Sequence, residues 1–144
     1  MWLTYAIAAS AIWGFEYALL GRLLGDKLSP LFLLSLQSFV AALTTGVVCV
    51  VSGTLRAESA FLTQDGSTLG LVVLSTVTFT LGNFMIAASI KEGNAVAAGF
   101  VEISYPLFII AFSIALGWIT HVDARTIVGG LIVLAGVFVL KHGH

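Results

Sequence analysis

Five stretches of this sequence are apolar over roughly 17–25 residues, the length an α-helix needs to cross a bilayer. They run from about 2–24, 29–52, 68–90, 95–119 and 124–140. An open sheet would leave backbone groups unpaired in lipid, so each stretch is expected to be helical. The expected fold is all-α: a polytopic membrane bundle of five transmembrane helices, in one domain over residues 1–144. The chain is 59% hydrophobic and only 9% charged, against about 25% charged in soluble domains. Membrane lipid is therefore its expected surrounding, and a prokaryotic inner membrane its expected location.

The remaining composition mostly excludes. The net charge of −1 offers no basic face for nucleic acid. Cys49 is the only cysteine, which rules out a disulfide within the chain. His121, His142 and His144 show no metal-ligand spacing, and no nucleotide loop or nucleophile motif is present. Neither a metal nor a cofactor nor an enzyme activity is expected. The N-terminal stretch lacks a basic start and outruns a signal-peptide core, so it reads as a retained span.

The connections carry turn chemistry. Pro30 suits the first turn of the second span. Residues 53–68 form the only long loop, with Asp65, Ser67 or Thr68 as caps for the third span. Gly93 ends one helix and Asn94 caps the next; Thr120 or Asp123 caps the last. Five spans put the termini on opposite sides. The C-terminal side carries Arg22, Lys27, Lys91 and Lys141, and the other carries Arg56 and Arg125. That difference favours the N-terminus outside, and it is small enough to leave both orientations open.

Glu16 and Glu102 are single carboxylates inside apolar spans. A charge in hydrocarbon costs at least about 2.5–3.5 kcal/mol, so such residues mark pathways, relays or pairings. Counted inward from the C-terminal side, Glu16, Gln37, Asn83 and Glu102 all lie about 7–8 residues deep, roughly 10–12 Å. Four spans thus offer a polar side chain at one level. Ala95, Ala98 and Gly99 share a face with Glu102, and Ala6, Ser10 and Gly14 form a run of small residues on the first span; both leave room or let backbones approach. Asn83 continues a stripe with Thr76 and Thr80. Pro106 has no N–H for the Glu102 carbonyl four residues back, so it is expected to break the fourth helix.

Each feature has a plainer alternative. The acids could pair across helices, and Gln37 and Asn83 could serve as helix–helix glue. Trp13, Tyr17 and Tyr105 flank the acids and could hold a cation on their ring faces, or simply pack. Trp2 and Trp118 suit interfacial anchors.

With these residues in view, the chain resembles one repeat of the drug/metabolite transporter superfamily, of the EamA type. The resemblance rests on Ile12-Trp13-Gly14-Phe15, on Ser29-Pro30, on Glu102 to Pro106 followed by Gly117, and on the closing run from Ile127 to Gly136. It departs where the family often has Gly-Glu at the end of the fourth helix, since Trp118 follows Gly117 here. Such members join two inverted repeats around a substrate cavity. The resemblance implies that two copies of this chain, inserted antiparallel, form a homodimeric secondary transporter. Glu16 would carry the proton or substrate charge, with Glu102, Asn83 and Gln37 lining the cavity. Two acids with no opposing base suit proton coupling and a cationic or amine-bearing small-molecule substrate. The alternative is a non-transporting accessory or heteromeric subunit of fixed orientation.

Overall fold

A computed structural model of the chain describes residues 2–25, 28–64, 66–118 and 121–141. Within them the regular structure is helical throughout: α1 (Trp2–Leu24), α2 (Pro30–Val51), α3 (Thr54–Gln64), α4 (Gly66–Glu92), α5 (Ala95–Glu102), α6 (Tyr105–Ala115) and α7 (Ala124–Lys141). Thr4–Leu24, Pro30–Val51, Gly66–Glu92 and Ala95–Ala115 are long and apolar enough to cross a membrane. The last apolar helix is shorter. Its 18 residues rise about 27 Å, slightly less than the roughly 30 Å of bilayer hydrocarbon. The class is the all-α membrane bundle that apolar length implies.

The helix ends follow local chemistry. Ser29 caps α2 by accepting from the Phe32 N–H at 3.3 Å, with Pro30 in the first turn. Asn94 caps α5 by accepting from the Ala97 N–H at 2.7 Å. Asp123 precedes α7, and its carbonyl takes the N–H groups of Thr126 and Ile127. Ser67 and Thr68 fall inside α4 rather than ahead of it. Asp65, Thr120, Lys27, His142 and His144, with the side chains of Trp2 and Lys141, lie outside the described residues.

One loop and one span differ from the sequence expectation. The presumed long loop contains α3, an 11-residue helix. It is too polar to span, yet rich in Leu, Ala, Arg, Glu and Gln, which favour helix. Gly53, at φ 75°, reverses the chain between α2 and α3, a conformation glycine adopts without steric cost. The fourth span ends at Ala115, short of residue 119. Gly117 adopts φ 70°, its N–H bonds the Ile114 carbonyl, and the Trp118 N–H bonds the Ser113 carbonyl. That is the Schellman pattern, which satisfies carbonyls a helix end leaves orphaned.

Contacts divide the chain into two compact units, Met1–Arg22 with Glu92–His144, and Leu23–Lys91. In the first, α5 and α6 both pack on α7, and α1 comes close to α5, where a Cβ added at Gly21 would lie 3.1 Å from that of Ala95. In the second, α3 folds against α2. The Lys91 ammonium donates to the Leu28 carbonyl at 2.9 Å, joining the end of α4 to the entry of α2. Few side chains are buried, Leu20, Ala98 and Ser104 among them. Large apolar groups such as Phe15 and Val51 face outward, which suits lipid as solvent.

Candidate functional site

The site grows from small residues on two helices of the first unit. Gly21 on α1 admits Ala95, and Gly99 on α5 lies in ordinary contact with the Tyr17 ring, 3.8 Å from where its Cβ would be. That approach carries the Tyr17 side chain to α5. Its hydroxyl donates to Glu102 Oε2. Tyr17 is buried, at 8% exposure, and a phenol away from water needs such an acceptor. The Trp13 ring lies one turn earlier, with centroids 6.4 Å apart and planes tilted by 34°.

Glu102 closes α5. The helix stops there and restarts at Tyr105, with Pro106 in the first turn of α6. In the break, the Ile103 N–H bonds the Gly99 carbonyl and the Ser104 N–H bonds the Val101 carbonyl. The buried Ser104 hydroxyl donates to that same Val101 carbonyl at 2.7 Å, and Pro106 supplies no N–H. The interruption places the carboxylate at a helix end beside open space.

That space is a cavity of about 820 Å³, within the range of small-molecule sites. Ala6, Ser10, Trp13, Gly14 and Tyr17 line it from α1; Ala95, Gly99 and Glu102 line it from α5, with Tyr105 beyond the break. Among the described residues, no basic side chain lines it. Glu16 precedes Tyr17, is half-buried, and lies within electrostatic reach of Glu102; it stands beside the cavity rather than on its wall. Of the residues singled out in the sequence, Trp13, Glu16, Tyr17, Glu102, Tyr105 and Pro106 thus share one unit. A carboxylate held by a phenol among aromatic faces can bind a proton or an organic ammonium.

Gln37 on α2 and Asn83 on α4 belong to the second unit. Both are half-buried. The Asn83 amide donates to the Phe79 carbonyl at 2.8 Å, and Thr76 and Thr80 donate to Val72 and Thr76 at 2.9 Å each. The polar stripe of α4 therefore bonds back onto its own helix. The Tyr17–Glu102 pairing went unread in the sequence. One signal was available: a tyrosine hydroxyl in an apolar span must find an acceptor, and the next spans hold few.

A second, smaller cavity of about 200 Å³ lies where α6 meets α7, lined by Pro106, Leu107, Gly129 and Gly130 among others. A Cβ at Gly130 would overlap the Leu107 side chain, so glycine there sets how closely α7 is approached.

Comparison with curated proteins and with solved structures gives no match. The model of the EamA-like transporter family matches residues 1–141. The helical membrane fold and this coverage agree, and the chain belongs to the EamA-like transporter family.

Proposed function

We propose that the protein is a proton-coupled secondary transporter, built from two antiparallel copies, whose substrate is a cationic or amine-bearing small molecule. The observation that carries this reading is the Tyr17–Glu102 pair on the wall of a cavity with no basic residue among its described lining. Glu102 supplies the charge facing the cavity, and Glu16 a second carboxyl within electrostatic reach. Proton and ammonium then compete for the same carboxylates, which is the minimal requirement for exchange. Trp13, Tyr17 and Tyr105 offer ring faces to the cation. A prokaryotic inner membrane supplies the proton gradient in this reading.

In this reading the pairing is antiparallel because the resemblance implies two inverted repeats around one cavity. A single repeat that needs an inverted mate from a second copy must insert in both senses. Inverted repeats give alternating access by rocking around a central site.

The test is uptake into proteoliposomes under an imposed pH gradient, with a panel of primary, tertiary and quaternary ammonium probes. Gradient-driven uptake that drops at least about tenfold in Glu102→Gln and in Glu16→Gln supports the reading. Unchanged uptake in both variants overturns it.

The second reading is an accessory subunit of fixed orientation. It draws on the charge asymmetry, four basic residues on one side against two on the other. Co-purification of a different five-helix chain would favour it.

A further inference from the structure

Helix packing, and not a ligand, holds the phenol of Tyr17 on Glu102. The buried Tyr17 ring lies against α5 at Gly99, where an added Cβ would come within 3.8 Å of it. The close approach of Gly21 to Ala95 fixes α1 beside α5, and the Trp13 ring lies one turn before Tyr17. None of these contacts needs an occupant, so the hydroxyl is in place when the cavity is empty.

Glu102 is half-buried and lines the cavity. Its Oε2 accepts from Tyr17. An ionised carboxylate has about four acceptor positions on its two oxygens, so Oε1 stays available to a cation. The two partners are not independent. A hydrogen bond to an ionised acceptor is roughly twice as strong as a neutral one. A cation at Oε1 neutralises the charge that strengthens the Tyr17 bond, so part of that bond is given up as the cation enters. In the empty site the same hydroxyl stabilises a carboxylate that stands among apolar walls, where a missing donor is costly.

We propose that the Tyr17 hydroxyl is a resident competitor for Glu102, which weakens cation binding and lets the cation leave. Tyr17 is then a positioning residue that sets affinity and turnover in opposite senses. This rests on the reading of Glu102 as the carboxylate that meets an organic ammonium.

The test is equilibrium dialysis of the detergent-purified protein against radiolabelled benzylammonium and its dimethyl and trimethyl derivatives. The pH is mildly alkaline, where few protons compete and the probes stay largely charged. Tyr17→Phe keeps the ring and removes the hydroxyl. The expected result is a Kd lowered about tenfold, the difference between a charged and a neutral acceptor. Release, timed by filtration, should slow to a similar extent, and in proteoliposomes KM and kcat should fall together. A purely structural role moves affinity the other way, because a displaced Glu102 holds the probe less well. Equal or weaker binding in Tyr17→Phe, with binding still lost in Glu102→Gln, overturns the competitor and leaves the site standing. Absence of binding, or binding that Glu102→Gln leaves unchanged, overturns the site reading and the competitor with it.

Discussion

The hydroxyl of Tyr17 donates to the carboxylate of Glu102 across 85 positions of sequence. This bond ties α1 to the end of α5 and puts an acid and a phenol on one cavity wall. Interhelical hydrogen bonds in membrane proteins contribute about 0.6 kcal/mol on average and up to about 1.7. Tyr17→Phe is expected to lose an amount in that range, read as a change in unfolding free energy in micelles. Glu102→Gln keeps an acceptor and should lose less. Equal losses would show that charge, not the bond, holds the contact.

Gly130 governs the approach of α6 to α7. Gly130→Val forces a side chain into the space of Leu107, and overpacking of this kind costs about 1–3 kcal/mol. Leu107→Ala in the same chain opens the space and should recover part of the loss. The recovery is the coupling energy of a double-mutant cycle. A cycle that closes additively would mean that the two residues do not meet.

Pro106 follows the break between α5 and α6. Pro106→Ala restores an N–H four residues beyond the Glu102 carbonyl. The expected outcome is a continuous helix through residues 102–105, seen as slowed amide hydrogen exchange there. Glu102 then turns with the helix, so probe uptake should fall even though the carboxylate is intact. Unchanged exchange would show that Ser104 and its bond to Val101 sustain the break alone.

Orientation rests on few charges. Paired C-terminal reporters, active on opposite sides of the membrane, should give comparable signals if the chain inserts both ways. Lys91→Gln changes the count from four against two to three against two and should even the signals further. It also replaces the ammonium that donates to the Leu28 carbonyl with a shorter amide, and loss of that bond would cost about 0.5–1.5 kcal/mol. A one-sided signal in both chains would rule out the antiparallel homodimer.

Much of the architecture was legible because lipid allows so few solutions. An apolar run of sufficient length must satisfy its backbone internally, and only a helix does so within one segment. The same logic misread residues 54–64. They are too polar to span, so apolar length alone predicts a loop, while their helix-forming composition makes α3. The end of the fourth span was overrun because Gly117 looks like any membrane glycine until its positive φ shows it to be a helix stop.

The helical class, the membrane as solvent, and the polar side chains that hydrocarbon makes costly can all be read from the chain's residues. These are local properties of composition and length. That Tyr17, rather than another group, meets Glu102, that Ala95 faces Gly21, and that Asn83 bonds its own helix emerges from the packed fold. Such choices depend on which faces of distant helices touch. Periodicity fixes the relative angles of residues on one helix, but the rotation of that helix against its neighbours follows from side-chain packing, above all from where glycine and alanine let backbones come close.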